Sequence, residues 1–265
     1  MKLTVLGSGT SHGIPVVGCL CAVCRSEDPR DKRMRASLYV EGEGGETAVI
    51  DTGPEFRLQA LRADIRRLDA VFFTHAHADH IHGLDDVRSL SVKTPLPVYG
   101  DKPTIREIRK RFSYIFKNTQ RGGGKPRIIP AAVSAPLAAG GLRFTPVPVK
   151  HGALDILGWR IDEAGKTAVY LTDASAIPPA SLPLIAGADI LIIGALREQP
   201  HETHFNFEQA LHTAAGLRLR QVFLTHICHD YTHREIEAYC RNFILERELT
   251  GITIGPAWDG LELSV

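Results

Sequence analysis

The sequence predicts an α/β fold (α+β by some schemes), two β-sheets packed face to face and flanked by helices, in a single domain over residues 1–265. Three observations carry this prediction. Strand-like and helix-like segments alternate in both halves of the chain. The stretches Val71-Phe72-Phe73-Thr74-His75 and Val222-Phe223-Leu224-Thr225-His226 end one buried strand in each half with Thr-His, which points to two similar halves sharing one site. No linker rich enough to separate independent domains interrupts the chain.

Taken in order, Leu3 to Leu6 reads as a strand, and Ser37 to Val40 and Thr47 to Ile50 form a hairpin around Glu41-Gly42-Glu43-Gly44-Gly45. Phe56, Leu58, Leu61 and Ile65 have helical spacing, and Val71 to Thr74 is a short strand apolar on both faces. Ile81 to Leu90 and Thr104 to Phe116 read as helices. Lys117 to Pro130, with Arg121-Gly122-Gly123-Gly124-Lys125-Pro126, supports neither period and is predicted to be a mobile loop. Strands follow at Leu142 to Val149, Thr167 to Leu171 and Asp189 to Ile193. Helices are expected around Phe207 to Leu217 and Arg234 to Leu249, with a last strand near Leu261 to Val265.

Composition excludes several function classes. With 265 residues, 44% hydrophobic and 23% charged, the chain fits neither a disordered nor a fibrous protein. A formal charge of +1 gives no broad electrostatic surface for nucleic acid or membrane, so any anion site is local. No apolar run approaches the ~18 residues of a membrane helix, and Met1-Lys2 leads straight into a strand, so no signal peptide is expected. Cys19, Cys21 and Cys24 stand too close for a secreted disulfide framework and suit thiolate metal binding in a reducing compartment, which places the protein in the cytoplasm. Cys228 and Cys240 read as small buried hydrophobes.

Histidine is the informative residue type, with 12 copies gathered mostly at the ends of apolar runs. His75-Ala76-His77-Ala78-Asp79-His80 places four ligands directly after a buried strand. In a turn leading to a helix, His75 and His77 can grip one cation while Asp79 and His80 grip a second, and imidazole with carboxylate suits Zn, Mn or Fe(II). Two metals need more donors. His151, Asp173 and His226 are each the first polar side chain past an apolar run, and a carboxylate can bridge two cations, which makes Asp173 the natural bridge. Asp51, ending Ala48-Val49-Ile50, is expected to orient the neighbouring turn and not to bind metal. His12 is a candidate to face the pocket, while His82, His212 and His233 take structural roles. Gly7-Ser8-Gly9-Thr10-Ser11-His12-Gly13 fails as a dinucleotide fingerprint because His12 stands where the third glycine belongs and no βαβ unit follows.

The histidine-rich turn with His151, Asp173 and His226 in this order resembles the metallo-β-lactamase superfamily. That resemblance implies an αββα sandwich with a dinuclear metal site between the sheets. Gly18-Cys19-Leu20-Cys21-Ala22-Val23-Cys24 and Leu224-Thr225-His226-Ile227-Cys228-His229 narrow it to the PhnP-like phosphodiesterases of bacterial phosphonate catabolism, which Gly7-Ser8-Gly9-Thr10, Pro146-Val147-Pro148-Val149-Lys150-His151 and Trp258-Asp259-Gly260-Leu261 also echo. The resemblance implies that Cys19, Cys21, Cys24 and His229 hold a structural zinc. A Cys3His shell is closed and leaves no position for water, so it would pin the N-terminal loop to the strand end carrying His226. The resemblance also points to His204, in Thr203-His204-Phe205-Asn206, as the acid that protonates the leaving group, with His201 in reserve.

The expected function is a metal-dependent phosphodiesterase, acting on a small linear or cyclic phosphate ester through a hydroxide held by two Zn or Mn ions. Asp79, Asp173 and His204 are the candidate catalytic residues. The alternatives are an RNA-processing endonuclease of the tRNA 3′-end type and a non-catalytic, metal-stabilised binding protein. Arg106, Arg109, Lys110, Arg111, Lys117, Arg121, Lys125 and Arg127 read as a solvated face, or else as an arm attracting a phosphate-rich substrate. A small phosphodiester is the expected partner, with no nucleic acid and no membrane; a homodimer is compatible with the sequence.

Overall fold

The computed structural model describes residues 1–117 and 124–265. Its strands are β1 (Lys2–Gly7), β2 (Ser37–Glu41), β3 (Thr47–Ile50), β4 (Ala70–Phe72), β5 (Leu96–Gly100), β6 (Ile128–Ala132) and β7 (Leu137–Ala139). They continue as β8 (Leu142–His151), β9 (Leu154–Glu163), β10 (Lys166–Leu171), β11 (Ile190–Gly194), β12 (Gln221–Thr225), β13 (Thr253–Pro256) and β14 (Glu262–Ser264). The α-helices are α1 (Ala22–Arg25), α2 (Phe56–Arg62), α3 (Ala78–Ile81), α4 (Lys102–Arg111), α5 (Ser113–Phe116), α6 (Leu182–Ile185), α7 (Phe207–Ala215) and α8 (His233–Glu246).

Two sheets form, in the orders β14-β1-β2-β3-β4-β5-β6 and β13-β12-β11-β10-β9-β8-β7. Within each, three antiparallel pairings are followed by three parallel ones, and β1 to β6 in the first sheet matches β8 to β13 in the second. The two halves are thus topological repeats, as the alternation of elements predicts. The Thr-His echo does not mark equivalent strands, however. By neighbour order β4 corresponds to β11, and β12 to β5. The equivalent strand ends are those of β3 and β10, followed by Asp51 and Asp173, which share a left-handed backbone at φ 62° and 55°.

Side-chain alternation builds the layers. Leu3, Val5, Ile50, Phe72, Phe144, Trp159 and Tyr170 meet between the sheets, where the Phe72 and Phe144 rings stack at 3.9 Å. Leu6, Val49, Val71 and Phe73 face outward under Phe56, Ile105 and Ile108, while Val169, Leu191 and Val222 pack under Phe207, Leu211, Ile236 and Phe243. Helices α7 and α8 each start with a capping box, built by Asn206 with Gln209 and by Thr232 with Glu235.

Some expected elements differ. The helix predicted over Ile81 to Leu90 is the short α3 followed by 3₁₀ turns over Leu84–Ser91. The break comes at Gly83, whose amide donates to the Thr52 carbonyl at 2.8 Å instead of continuing the helix, an approach so close that a Cβ there would meet the Gly53 carbonyl oxygen at 2.0 Å. The helix over Thr104 to Phe116 divides at Phe112 into α4 and α5. The predicted loop to Pro130 ends earlier, since Ile128 already pairs with Leu96, and Pro130 is tolerated because β6 is an edge strand. Arg121 and the start of that loop's glycine run lie outside the described residues. Strands β5, β7, β9 and β13 had no predicted counterpart. Among the described residues no helix is long and apolar enough to cross a membrane.

Candidate metal centre

The candidate ligands stand where strands end. Two residues past β4, Thr74 leads into His75; His151 is the last residue of β8; Asp173 follows β10 and His226 follows β12. His77 is the extended N-cap of α3, which puts Asp79 and His80 in the first turn of that helix. The turn thereby aims His75 and His77 at one point and Asp79 and His80 at a neighbouring one. Asp173 and His226 both hold left-handed backbone, at φ 55° and 57°. Non-glycine residues in that region concentrate at sites where the surroundings fix them.

Two clusters result, His75, His77, His151 with Asp173, and Asp79, His80, His226 with Asp173. Asp173 belongs to both. Its Oδ1 lies 3.3 Å from His80 Nε2 and 3.2 Å from His226 Nε2, while its Oδ2 faces His75 Nε2 at 3.9 Å. Asp79 Oδ2 lies 3.1 Å from His80 Nε2 and 3.8 Å from His226 Nε2.

A second layer sets the ring orientations. Asp51, fully buried, accepts from the Thr74 amide and hydroxyl at 2.8 Å each and lies 2.8 Å from His80 Nδ1. His151 Nδ1 donates to the Thr203 carbonyl at 2.7 Å. Each ring therefore turns its Nε2 toward the cluster. Buried His75 Nε2, His80 Nε2 and both His226 nitrogens have no hydrogen-bond partner. An orphaned buried polar atom costs ~1–3 kcal/mol, and the Nε2 atoms of His75, His80 and His226, turned toward the shared Asp173, fit a pair of divalent cations.

Without cations the charges distribute as burial and neighbours dictate. Burial, followed by repulsion from His80, holds His75 well below the usual imidazole range. Burial also opposes charge on His80, but Asp173, Asp51 and Asp79 together raise it well above. Desolvation opposes the charge of Asp173 and Asp79 too, and the surrounding histidines overcome it, keeping both carboxylates ionised. A cation would meet ionised carboxylates and a neutral His75, and would displace the proton that the carboxylates hold on His80.

Cys19, Cys21, Cys24 and His229 form a separate cluster. The three Sγ atoms lie 3.4, 3.5 and 3.5 Å from His229 Nδ1. The Cys24 amide donates to Cys21 Sγ at 3.4 Å and the Val16 amide to Cys24 Sγ at 3.3 Å, as in closed thiolate sites. The Cys24 amide pulls Cys21 down to about 6, while desolvation raises Cys24 to about 11.

A family model described as the beta-lactamase superfamily domain matches residues 47–227. The crystal structure of a diphosphatase from the PhnP family superposes with a TM-score of 0.87 at 41% identity, covering 100% of this chain and 97% of that one. The chain belongs to the PhnP family of the beta-lactamase superfamily. Zn(2+)-bound PqqB from Methylobacterium extorquens shares the fold, with a TM-score of 0.81 at 19% identity over 100% of both chains. An octanoyltransferase from Porphyromonas gingivalis is 38% identical over 231 residues, 86% of this chain. The chain spans about half the length of that relative, 46% of it.

In this PhnP-family chain His204 lies over the metal centre, its ring centroid 4.7 Å from that of His151 and 4.8 Å from that of His226. Burial, then the neighbouring His226, pushes His204 down to about 3. His201 is exposed and lies one ring further out, 5.1 Å from His204. His12 is exposed and lines a different cavity with Arg35 and Glu55. His82 and His212 stay on the surface, whereas His233 is buried edge-on to Trp258.

Sequence reasoning missed the supports. Buried Arg33 donates to the Cys228 carbonyl at 2.6 Å and the Tyr231 carbonyl at 3.0 Å, and pairs with Asp31 at 3.3 Å, fixing the loop that carries His229. Asp259 accepts from the Ser8 amide at 2.9 Å and the Met34 amide at 2.8 Å. One signal was available: Thr74-His75, Thr172-Asp173 and Thr225-His226 each place a threonine before a ligand. The Thr172 hydroxyl donates to Asp173 Oδ1 at 2.6 Å.

Proposed function

We propose that this chain is a metal-dependent phosphodiesterase for small phosphate esters, with two divalent cations in the His/Asp centre and one structural zinc on the cysteines. The observation that carries the proposal is Asp173, whose two oxygens face separate histidine sets. When bound, such a cation pair supplies an activated water and charge neutralisation for in-line displacement at phosphorus.

The protein's own groups would do the rest. Asp51 holds the proton on His80 Nδ1 and the Thr203 carbonyl holds that on His151 Nδ1, leaving both Nε2 lone pairs free. Asp173 balances positive charge from both sides. His204 is placed to give a proton to the leaving oxygen. An imidazole at about 3 is neutral at pH 7, so His204 takes this role only once an anionic phosphate beside it favours the protonated ring.

The test is a panel of linear and cyclic phosphodiesters, a diphosphate diester and a tRNA precursor, assayed with defined Zn or Mn. Turnover of the small esters without RNA cleavage is the expected result. RNA cleavage alone would favour the tRNA 3′-end type, and no turnover on the whole panel would favour the binding-protein alternative. Against the RNA alternative, three of the segment's described cations are engaged with local backbone. Arg109 donates to the Pro130 carbonyl, Lys125 to that of Lys117, and Arg127 to that of Val92, at 3.2, 2.7 and 2.7 Å.

A further inference from the structure

A cleft of about 220 Å³ opens beside the metal cluster, bounded by His77, one face of α4 from Pro103 to Arg111 and the start of β9. His77 belongs both to this cleft and to the first metal cluster, so an occupant of one abuts an occupant of the other. The cleft's size decides what kind of site it is. Pockets that enclose a whole drug-sized ligand measure roughly 300 Å³ or more, so this one accommodates a fragment.

Its lining decides which fragment. Pro103, Leu154 and Ile156 supply apolar surface, and Leu154 stays 49% exposed although the same cleft is lined by His75 and His77. The charged groups lean acidic. Asp101, Glu107 and Asp155 outnumber Arg111 and Lys150, which pair with Glu107 and Asp155, while Asp101 caps α4 by accepting from the Thr104 amide at 2.8 Å. One acid stays uncompensated and each carboxylate keeps free lone pairs. A second phosphate or a carboxylate would meet net repulsion there, while N–H or O–H donors would find carboxylate acceptors.

We propose that this cleft is a subsite for one ester group of the substrate, a single uncharged ring with an apolar face and hydrogen-bond donors on its edge. The proposal rests on the phosphodiesterase reading for what the ring is attached to. Leu154 and Pro103 cover the ring faces, and Asp101 and Glu107 select for donors. The scissile phosphate then lies on the far side of His77. Substrates whose second group is a small alkyl leave the cleft to water, and those whose second group is anionic are disfavoured.

The test is calorimetric titration of the metal-loaded protein with methyl, phenyl, 3-aminophenyl and 4-carboxyphenyl phosphate. Binding needs no turnover, so the outcome is separable from the fate of the proposed activity. Phenyl phosphate is expected to bind about tenfold more tightly than methyl phosphate, a discrimination of the size apolar subsites give. The aminophenyl ester should bind at least as tightly as phenyl, and the carboxyphenyl ester no better than methyl. In Leu154→Asp the phenyl-to-methyl ratio should collapse to within twofold, and Pro103→Asp, from the α4 side, should lower it as well. Metal content and melting temperature check that both variants fold. Equal binding of methyl and phenyl phosphate, tight binding of the carboxyphenyl ester, or a ratio unchanged in both variants would overturn the subsite. A chain that shows the ratio but hydrolyses no phosphodiester would keep the subsite and sink the proposed activity.

Discussion

Asp51 Oδ2 lies 2.8 Å from His80 Nδ1, and neither side chain is exposed to solvent. The same carboxylate also takes both donors of Thr74, directly before His75. One buried acid thus fixes a ligand of each cluster without reaching either. Asp51→Asn keeps the shape but replaces an acceptor with a group that can donate toward His80. Metal affinity should fall about 10- to 100-fold, the usual loss when such a support is changed, with a near-native circular dichroism spectrum. Competition with a chromophoric chelator reads it, and unchanged affinity would show that the ring needs no such anchor.

Asp173→Ala removes the carboxylate that both clusters share. Two cations held close together would lose the charge between them, so hydrolysis should disappear and at least one catalytic metal should be lost. Elemental analysis alongside rates checks this. Retention of both metals at near-normal rates would mean that another group bridges them.

The ligands were legible because the chemistry at strand ends is local: a run of apolar residues stops and the next polar side chain is His or Asp. The halves were legible for the same reason, as alternating strand and helix patterns. Strand β9 was not. Its Leu-Asp-Ile-Leu-Gly-Trp-Arg-Ile-Asp-Glu has one face buried between the sheets at Leu157, Trp159 and Ile161, while Arg160 bonds sideways to Asp162 and the Leu184 carbonyl. Leu157, Trp159 and Ile161 do alternate, but Ile156 is buried on the opposite face and blurs the period. The echo of Val-Phe-Phe-Thr-His and Val-Phe-Leu-Thr-His was real but misleading about symmetry, because strand equivalence is set by pairing order and not by local resemblance. Arg33 was illegible as a support since its partners lie up to 198 residues away.

Arg33→Ala should cost roughly 3 kcal/mol in urea unfolding, within the range for breaking a buried ion pair. Both partners are buried, and Asp31 would keep only the His233 amide and the Ser26 hydroxyl. A loss under ~0.5 kcal/mol, typical of surface substitutions, would contradict the role given to Arg33.

Cys21→Ser replaces a sulfur that lies 3.5 Å from His229 Nδ1 and accepts from the Cys24 amide at 3.4 Å. A closed thiolate shell adds its binding energy to folding. The variant should lose about one equivalent of zinc and melt at lower temperature, while the metals of the His/Asp centre remain. If wild-type protein isolated from cells carries no zinc on this site, the assignment of Cys19, Cys21, Cys24 and His229 fails.

His204 sits over the centre, in ring contact with His151 and His226, and neither metal cluster includes it. A residue so placed can protonate a leaving oxygen, and the need for that proton grows with the basicity of the leaving group. His204→Ala should therefore lose roughly 100-fold or more on an ester with an alkoxide leaving group, the usual range for a positioned acid. With a nitrophenolate, which departs without help, the loss should be much smaller. Metal content should match the wild type. Equal losses on both substrates would assign His204 to substrate positioning, and a missing metal would make it a ligand.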